Sequence, residues 1–265
     1  MDINWPIYKI ERLGHCGYLM GTIHLGSQQM YPLPKFIVNT LAQSKQLITE
    51  MSATETGSAG ELMEDEAMLE PGTVIADILE PDVFEYLLER AEEYELELTE
   101  FENYRPWYIA TFFTSLAYKQ TGKSMLYGVD LQLQRLAKQN NLLGVGLETA
   151  DAQINEVAGA YPDSDANDII RSIIPQATVS DEIEVIYQAY INDNPTTLTE
   201  QINELAENIT VGRNKAWTPI IANLVMNDAK PFIAVGFGHL HGYDGLIKLL
   251  QNQGFTVDKL LGNVQ

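Results

Sequence analysis

Two short segments near opposite ends of the chain combine an apolar run with the spacing Gly-x-x-His. Residues 21–24 (GTIH) end in His24, and residues 236–239 (GFGH) end in His239. The chain has only four histidines, so two of them in the same context make a shared role as credible as coincidence. A glycine three residues before an imidazole permits a close backbone approach that a side chain would obstruct. Two imidazoles and a carboxylate are typical ligands of a divalent metal that keeps open positions for water and substrate.

Two carboxylates follow runs that are typical of β-strands. Glu50 lies at the end of the run 46–51, and Glu148 directly follows residues 142–147 (LLGVGL), which are apolar on both faces and predict a buried strand. In parallel α/β sheets, ligands bind beyond the carboxyl ends of the strands. We therefore expect both carboxylates to lie near His24 and His239. Either carboxylate could be a general base, and the sequence leaves that choice open.

Five further residues need a functional or a structural interpretation. The Arg213-Asn214 pair could hold an oxyanion or a substrate carboxylate, whereas near a helix start such residues usually cap or face solvent. Asp130 could join the site or cap the helix that follows it. His241 could be a third imidazole ligand, although we favour a place outside the ligand set. His15 falls in a predicted hairpin turn and is expected to be structural.

The elements that must position these side chains alternate between strand and helix. Residues 7–12 and 16–20 predict an N-terminal β-hairpin, while residues 61–139 and 150–226 are mostly helical in pattern. We expect prolines, Pro219 among them, to interrupt the second helical stretch. The sequence thus predicts an α/β fold: a central, mostly parallel sheet flanked by helices, with the N-terminal hairpin and a large helical insertion.

The composition is that of an ordinary globular protein and limits the partners. The 265 residues carry a formal charge of −21, so phosphate backbones and anionic lipids are repelled, and we expect neither nucleic acid nor membrane as a partner. One cysteine, Cys16, excludes an internal disulfide. The first residues lack a signal-peptide pattern, which leads us to expect a cytoplasmic protein. We expect one domain spanning residues 1–265.

The sequence resembles the TraB/PrgY/GumN family, which also includes the Tiki proteins, over nearly its whole length. The first and last of the matching segments are the most specific. In chain order they are WPIYKIERLGHCGYLMGTIHLGSQQMYPLP, LITE, YRPW, YGVDLQLQRLAKQ, GLETADAQI, GRNKAW and FIAVGFGHLHGYDGLIKLLQNQGFTV.

The resemblance implies a metal-dependent hydrolase, which in Tiki-type relatives is a protease that uses manganese or cobalt. By matching motif, His24, Glu50 and His239 would hold the metal ion, with zinc as a third candidate metal. Arg213 and Asn214 would belong to the pocket, and Glu50 or Glu148 would act as the base.

Peptides or small molecules are the expected substrates of such an enzyme. Two other interpretations stay open: a protein that captures a peptide or glycan in the same crevice without cleaving it, and a hydrolase of esters or other non-peptide bonds.

Overall fold

A computed structural model describes residues 2–197 and 204–261 of the chain. The described residues form one six-stranded sheet surrounded by helices. The strands are β1 (Ile7–Arg12), β2 (His15–Thr22), β3 (Gln46–Thr49), β4 (Leu143–Gly146), β5 (Pro231–Gly236) and β6 (Thr256–Lys259). The described α-helices are α1 (Lys35–Gln43), α2 (Ala53–Ala67), α3 (Pro81–Glu93), α4 (Pro106–Gln120), α5 (Val129–Gln139), α6 (Ala150–Ala160), α7 (Ala166–Arg171), α8 (Gln176–Ile191), α9 (Glu204–Met226) and α10 (Leu246–Asn252).

The sheet has the strand order β4-β3-β5-β2-β1-β6. The β3-β4, β3-β5 and β2-β5 pairs are parallel, while β1 pairs antiparallel with both β2 and β6. Helices connect the parallel strands, as crossover connections require. The prediction of an α/β fold with a mostly parallel sheet is confirmed.

The N-terminal hairpin is also confirmed, with one correction at its turn. Leu13 and Gly14 make the turn with positive φ angles of 50° and 83°. His15, which the sequence placed in the turn, begins β2 and pairs with Arg12. A two-residue turn with both φ angles positive matches the twist of the strands, so pairing starts one residue earlier than expected.

The core lies between the central strands and the helices packed on them. Leu19, Ile48 and Phe232, from β2, β3 and β5, are fully buried. Strand β4 was predicted to be buried on both faces, and this prediction is wrong. It is the edge strand of the sheet, and its Leu143 is 63% exposed. An apolar run identifies a strand but does not reveal its place in the sheet order.

Helix α9 carries the Arg213-Asn214 pair, and it also corrects two predictions. The pair lies well inside the helix and away from its start, and Pro219 lies within the helix without ending it. Trp217, Ile221 and Val225 are buried at a spacing of four residues. Burial of this apolar stripe offsets the roughly 3 kcal/mol that an internal proline costs.

The chain divides into two compact units. The sheet unit comprises Met1–Thr56, Lys123–Thr149 and Val185–Gln265, and the helical unit comprises Gly57–Gly122 and Ala150–Glu184. The helical unit has an apolar core of its own around Phe113 and corresponds to most of the predicted helical insertion. The expectation of a single domain stays a prediction. Within residues 2–197 and 204–261, no helix has the length and apolar character needed to cross a membrane.

Candidate active site

The side chains singled out by the sequence lie just after the carboxyl ends of parallel strands. Glu50 directly follows β3, Glu148 lies two residues after β4, His24 two residues after β2, and His239 three residues after β5. Because these strands run in the same direction, their carboxyl ends lie along one edge of the sheet. All four side chains belong to the sheet unit.

Glu50 and His239 form the buried centre of this edge. The Gly236 N–H donates a 2.7 Å hydrogen bond to Oε1 of Glu50, and Nε2 of His239 lies 3.8 Å from the same oxygen. A Cβ added at Gly236 would lie 3.2 Å from that carboxylate oxygen. The glycine of the second Gly-x-x-His segment therefore permits the close approach that the sequence predicted.

Arg213 connects the two predicted carboxylates. Its Nη2 donates to Oε2 of Glu50 and to Oε1 of Glu148, both at 2.6 Å, and its Nε donates to Oε2 of Glu148 at 3.3 Å. Nη1 lies 3.4 Å from Nε2 of His239. All three charged side chains are nearly buried. A planar guanidinium suits this arrangement, because its donors point in several fixed directions within one plane.

Asn214 fixes the orientation of His239. Its Oδ1 lies 2.8 Å from Nδ1 of the ring, while its Nδ2 donates to the carbonyl oxygens of His239 and Asp244 at 3.2 and 2.9 Å. Because an amide oxygen can only accept, Nδ1 carries the proton and Nε2 presents a lone pair. Asn214 is buried, so these contacts form away from solvent.

His24 has a different environment, made by the start of α5. Its Nδ1 lies 3.2 Å from Oδ2 of Asp130, and its side chain is 60% exposed. The start of this helix is held against the backbone that precedes His24, because the Val129 N–H donates to the Ile23 carbonyl at 2.9 Å. A Cβ at Gly128 would lie 2.4 Å from the His24 carbonyl oxygen, so only glycine permits this approach.

The pKa values of the two histidines shift in opposite directions. The hydrogen bond to Asp130 is the main cause that raises the pKa of His24 to about 9. Burial lowers the pKa of His239 to about 4, and the nearby charge of Glu50 does not reverse this.

The two carboxylates also differ. Burial by itself raises the pKa of Glu50, but positive charge from His239, and then from Arg213, outweighs it and lowers that pKa to about 2. Burial raises the pKa of Glu148, even though Arg213 donates hydrogen bonds to its carboxylate.

The structure shows where Asp130, His241 and His15 lie. Asp130 is in the first turn of α5 and pairs with His24, while Gly128 is the N-cap residue, so the capping interpretation is wrong. His241 packs on Phe237 and faces Asp193, with Nε2 of the ring 3.8 Å from Oδ1 of that carboxylate. His15, which was predicted to be structural, pairs with Asp228, whose Oδ1 lies 2.9 Å from Nδ1 of the ring.

Sequence reasoning missed Trp217, which lies beneath the site on α9. Its indole Nε1 donates to Oε2 of Glu148 at 3.1 Å, and its ring centroid lies 4.5 Å from Cζ of Arg213. The available signal was its spacing from Arg213, since residues four apart on a helix lie on the same face.

The donor types present suit a divalent metal, with two imidazoles and a carboxylate. Each histidine has its Nδ1 next to a side-chain oxygen, from Asp130 or from Asn214, an arrangement common for metal-binding histidines. In the part of the chain that the structure describes, however, no three His, Cys, Asp or Glu side chains are grouped so as to hold a metal ion. The roles assigned to these residues therefore stay predictions.

Comparisons with known proteins agree on one family. A family model described as the TraB/PrgY/gumN family matches residues 6–259. Two curated relatives, each called uncharacterized protein YbaP, come from Shigella flexneri and from Escherichia coli strain K12. Each is 26% identical over 255 residues, which cover 93% of this chain and 92% of the relative. No solved structure matches the chain.

Proposed function

The chain belongs to the TraB/PrgY/gumN family, and from this premise we propose that it is a metal-dependent hydrolase that cleaves peptides. The observation that carries the proposal is the pair of Gly-x-x-His histidines at one sheet edge, each anchored through Nδ1. His239 faces Glu50 across 3.8 Å, and both side chains are nearly buried. His24 is exposed, which leaves the same edge open to a substrate from solvent.

His24, Glu50 and His239 would hold the cation, with manganese or cobalt as the first candidates and zinc as the third. The anchored Nδ1 of each ring leaves Nε2 as the ligand nitrogen. Glu50 supplies the negative charge, and its low pKa keeps it a carboxylate at neutral pH. A bound divalent cation supplies an acidified water molecule and polarises a substrate carbonyl.

Glu148 is the proposed proton acceptor. It is separated from His239 by the Arg213 guanidinium, so it is not placed to be a ligand, whereas Glu50 directly faces that ring. Burial raises the pKa of Glu148 toward the range in which a carboxylate takes up a proton.

Arg213 and Asn214 complete the proposed machinery. Arg213 holds both carboxylates through its Nη2 and presents Nη1 toward His239, where negative charge on a substrate oxygen would be stabilised. Asn214 keeps the imidazole of His239 in one tautomer. In this proposal the pair orients the ligand groups as well as contacting the substrate.

Calorimetric titration of the chelator-stripped protein with Mn²⁺ and Co²⁺ tests the proposal. We expect saturable binding to the wild type and to a His15→Ala control, and none to a His24→Ala/His239→Ala double variant whose fold is confirmed by circular dichroism. His15 is a suitable control because its ring pairs with Asp228, an exposed carboxylate that is not among the proposed site residues. Equal binding by the double variant, or none by the wild type, would overturn the metal site and favour capture of a peptide or glycan.

Two carboxylate variants separate the proposed roles once metal binding is established. Glu50→Gln should weaken Mn²⁺ binding by at least about tenfold, because a ligand charge is removed. Glu148→Gln should weaken Mn²⁺ binding less than Glu50→Gln does, while it lowers kcat by about 100-fold or more, as expected for a lost general base. The substrate would come from unbiased peptide and ester libraries, and activity on esters alone would contradict the peptidase part of the proposal.

A further inference from the structure

Trp217 contacts three of the side chains assigned to the site, yet the proposed chemistry does not use it. It lies one helical turn after Arg213 on α9 and is only 1% exposed. Its indole N–H donates to Oε2 of Glu148, its ring lies 4.5 Å from the guanidinium carbon of Arg213, and its centroid is 4.6 Å from that of His239. One side chain therefore touches an acceptor, a cation and an imidazole.

The indole N–H is a third donor to the Glu148 carboxylate. Nε and Nη2 of Arg213 approach its two oxygens as a planar pair of donors, and the bond to Oε1 is the short one. The bond from Nε of Arg213 is long, at 3.3 Å, and it shares Oε2 with the 3.1 Å bond from Trp217. Removing the indole donor would leave that oxygen with its weaker partner, and the carboxylate could rotate.

The ring of Trp217 acts on the same guanidinium from another direction. A cation within about 6 Å of an indole centroid is attracted by the electrons of the ring, and the attraction increases where water is excluded. The centroid-to-Cζ distance of 4.5 Å is inside this range, and the Arg213 side chain is nearly buried. The ring of Trp217 also lies close to that of His239, with an angle of 39° between the planes.

We propose that Trp217 is a positioning residue whose indole N–H and ring together hold Arg213 and Glu148 in the geometry that presents Glu50 and His239 to a ligand. The inference rests on the proposed function only where it concerns metal and substrate. The effect of Trp217 on Arg213 can be measured in the metal-free protein.

The direct test is exchange of the Arg213 Nε proton with solvent, followed in proton–nitrogen NMR spectra of the full chain. The Arg213 signal is assigned by its loss in Arg213→Lys. In Trp217→Phe we expect this proton to exchange about tenfold faster, the effect of roughly one net hydrogen bond. An unchanged rate in Trp217→Phe would overturn the proposal.

Trp107→Phe is the matched control. Trp107 is also buried, and its indole N–H has no hydrogen-bond partner among the described residues. Trp107 lies in the helical unit. Its replacement by Phe removes the same atoms from a protein interior without removing a hydrogen bond. In Trp107→Phe the Arg213 Nε proton should exchange at the wild-type rate. A rate raised equally by both substitutions would mean general loosening and would also overturn the proposal.

A second variant covers the case in which Trp217→Phe does not fold. Replacing the Trp217 indole with benzothiophene keeps the shape of the ring and puts sulfur in place of the N–H. The proposal requires faster Arg213 exchange in this protein as well, because the donor to Glu148 is lost. Slow exchange, as in the wild type, would overturn the role of the N–H.

The metal titration then separates this proposal from the proposed function. If the wild type binds Mn²⁺, Trp217→Phe should bind it at least about threefold more weakly, while Trp107→Phe should match the wild type. If the wild type binds no Mn²⁺, the proposed function fails, while the exchange rates still decide whether Trp217 positions Arg213. Faster exchange combined with unaltered Mn²⁺ affinity would overturn the link to the ligand groups.

Discussion

The two Gly-x-x-His segments produce half-sites with different surroundings. We call His239 with Asn214 and Glu50 the buried half-site, and His24 with Asp130 the open half-site. The His239 side chain is 8% exposed and bonds to a neutral amide, whereas His24 is 60% exposed and bonds to a carboxylate. Their pKa values consequently shift in opposite directions. The same short pattern thus places an imidazole at a strand end, while the rest of the fold determines its charge.

The physical cause of this difference is what covers each ring. Helix α9 places Asn214 and Trp217 against His239, so the charged imidazolium would lose its hydration there. The His24 side chain is 60% exposed, and its partner Asp130 favours the charged form. The comparison predicts that changes at the buried half-site are costly to the fold, whereas side-chain changes at the open half-site are tolerated.

The largest effect is expected at the buried half-site, from Arg213→Met. This change leaves Glu50 and Glu148 as buried carboxylates without their shared cation. We expect the free energy of unfolding to fall by about 4 kcal/mol, as for other buried ion pairs that lose one partner. Urea unfolding followed by circular dichroism at pH 7 measures it.

Arg171→Met is the control for loss of an arginine. Its ion pair with Asp82 is exposed, so the same substitution should cost under about 1 kcal/mol. Equal costs at the two arginines would mean that burial does not distinguish the pairs, and the comparison of half-sites would lose its basis.

A backbone contact at the open half-site should give the next largest effect. Gly128→Ala would place a Cβ 2.4 Å from the His24 carbonyl oxygen, and backbone cannot yield as a flexible side chain can. We expect a loss of about 3 kcal/mol in the free energy of unfolding. In Gly144→Ala, on the edge strand, a new Cβ meets no atom within 4 Å, and the melting temperature should hardly change. A mild effect of Gly128→Ala would contradict the close packing of the start of α5 on the His24 backbone.

Asn214→Ala tests the buried half-site by removing the amide that orients His239. The change leaves Nδ1 of that ring and two carbonyl oxygens without their partner in the interior. A loss of about 2 kcal/mol in the free energy of unfolding is expected. Asn223→Ala, at an exposed position of the same helix, serves as the control, with an expected cost below about 0.5 kcal/mol. Similar losses from both would argue against a special role for the amide.

The smallest effect concerns the charge of His24. Its folded pKa of about 9 lies above its usual 6.5, so the stabilisation by Asp130 is complete below pH 6.5 and disappears as pH rises through about 9. Since the ring is exposed, solvent screening keeps this contribution under about 1 kcal/mol. Asp130→Asn should bring the pKa of His24 back toward 6.5, which NMR titration of the metal-free protein measures. A pKa that stays near 9 in this variant would exclude Asp130 as the cause.

His239 provides the opposite sign in the same titration. Its folded pKa of about 4 lies below 6.5, so its contribution to stability is complete above pH 6.5 and decreases as pH falls toward 4. Asp130→Asn should leave the pKa of His239 unaltered. A shift in the pKa of His239 as large as that of His24 would show that the half-sites are not independent.

Much of the fold could be predicted from local pattern. The apolar runs after residue 7 and before residue 236, with glycines at their ends, identify strands that end in functional side chains. Parallel pairing follows from the intervening helices, and it places Glu50 and His239 at one sheet edge. The buried place assigned to β4 was wrong because its apolar residues are the same in an edge strand as in a central one.

Most of the strands, and the imidazoles and carboxylates that follow them, could be predicted from local pattern, because strand periodicity and glycine spacing are local properties of the chain. The folded structure was needed to show that Arg213 joins Glu50 to Glu148 and that Trp217 contacts Arg213, Glu148 and His239. The contacts of Arg213 with the two carboxylates connect residues 163 and 65 positions apart, and no local pattern encodes which face of α9 meets the sheet edge. The opposite charge states of His24 and His239 were decided in the same way, because desolvation depends on everything packed around a ring.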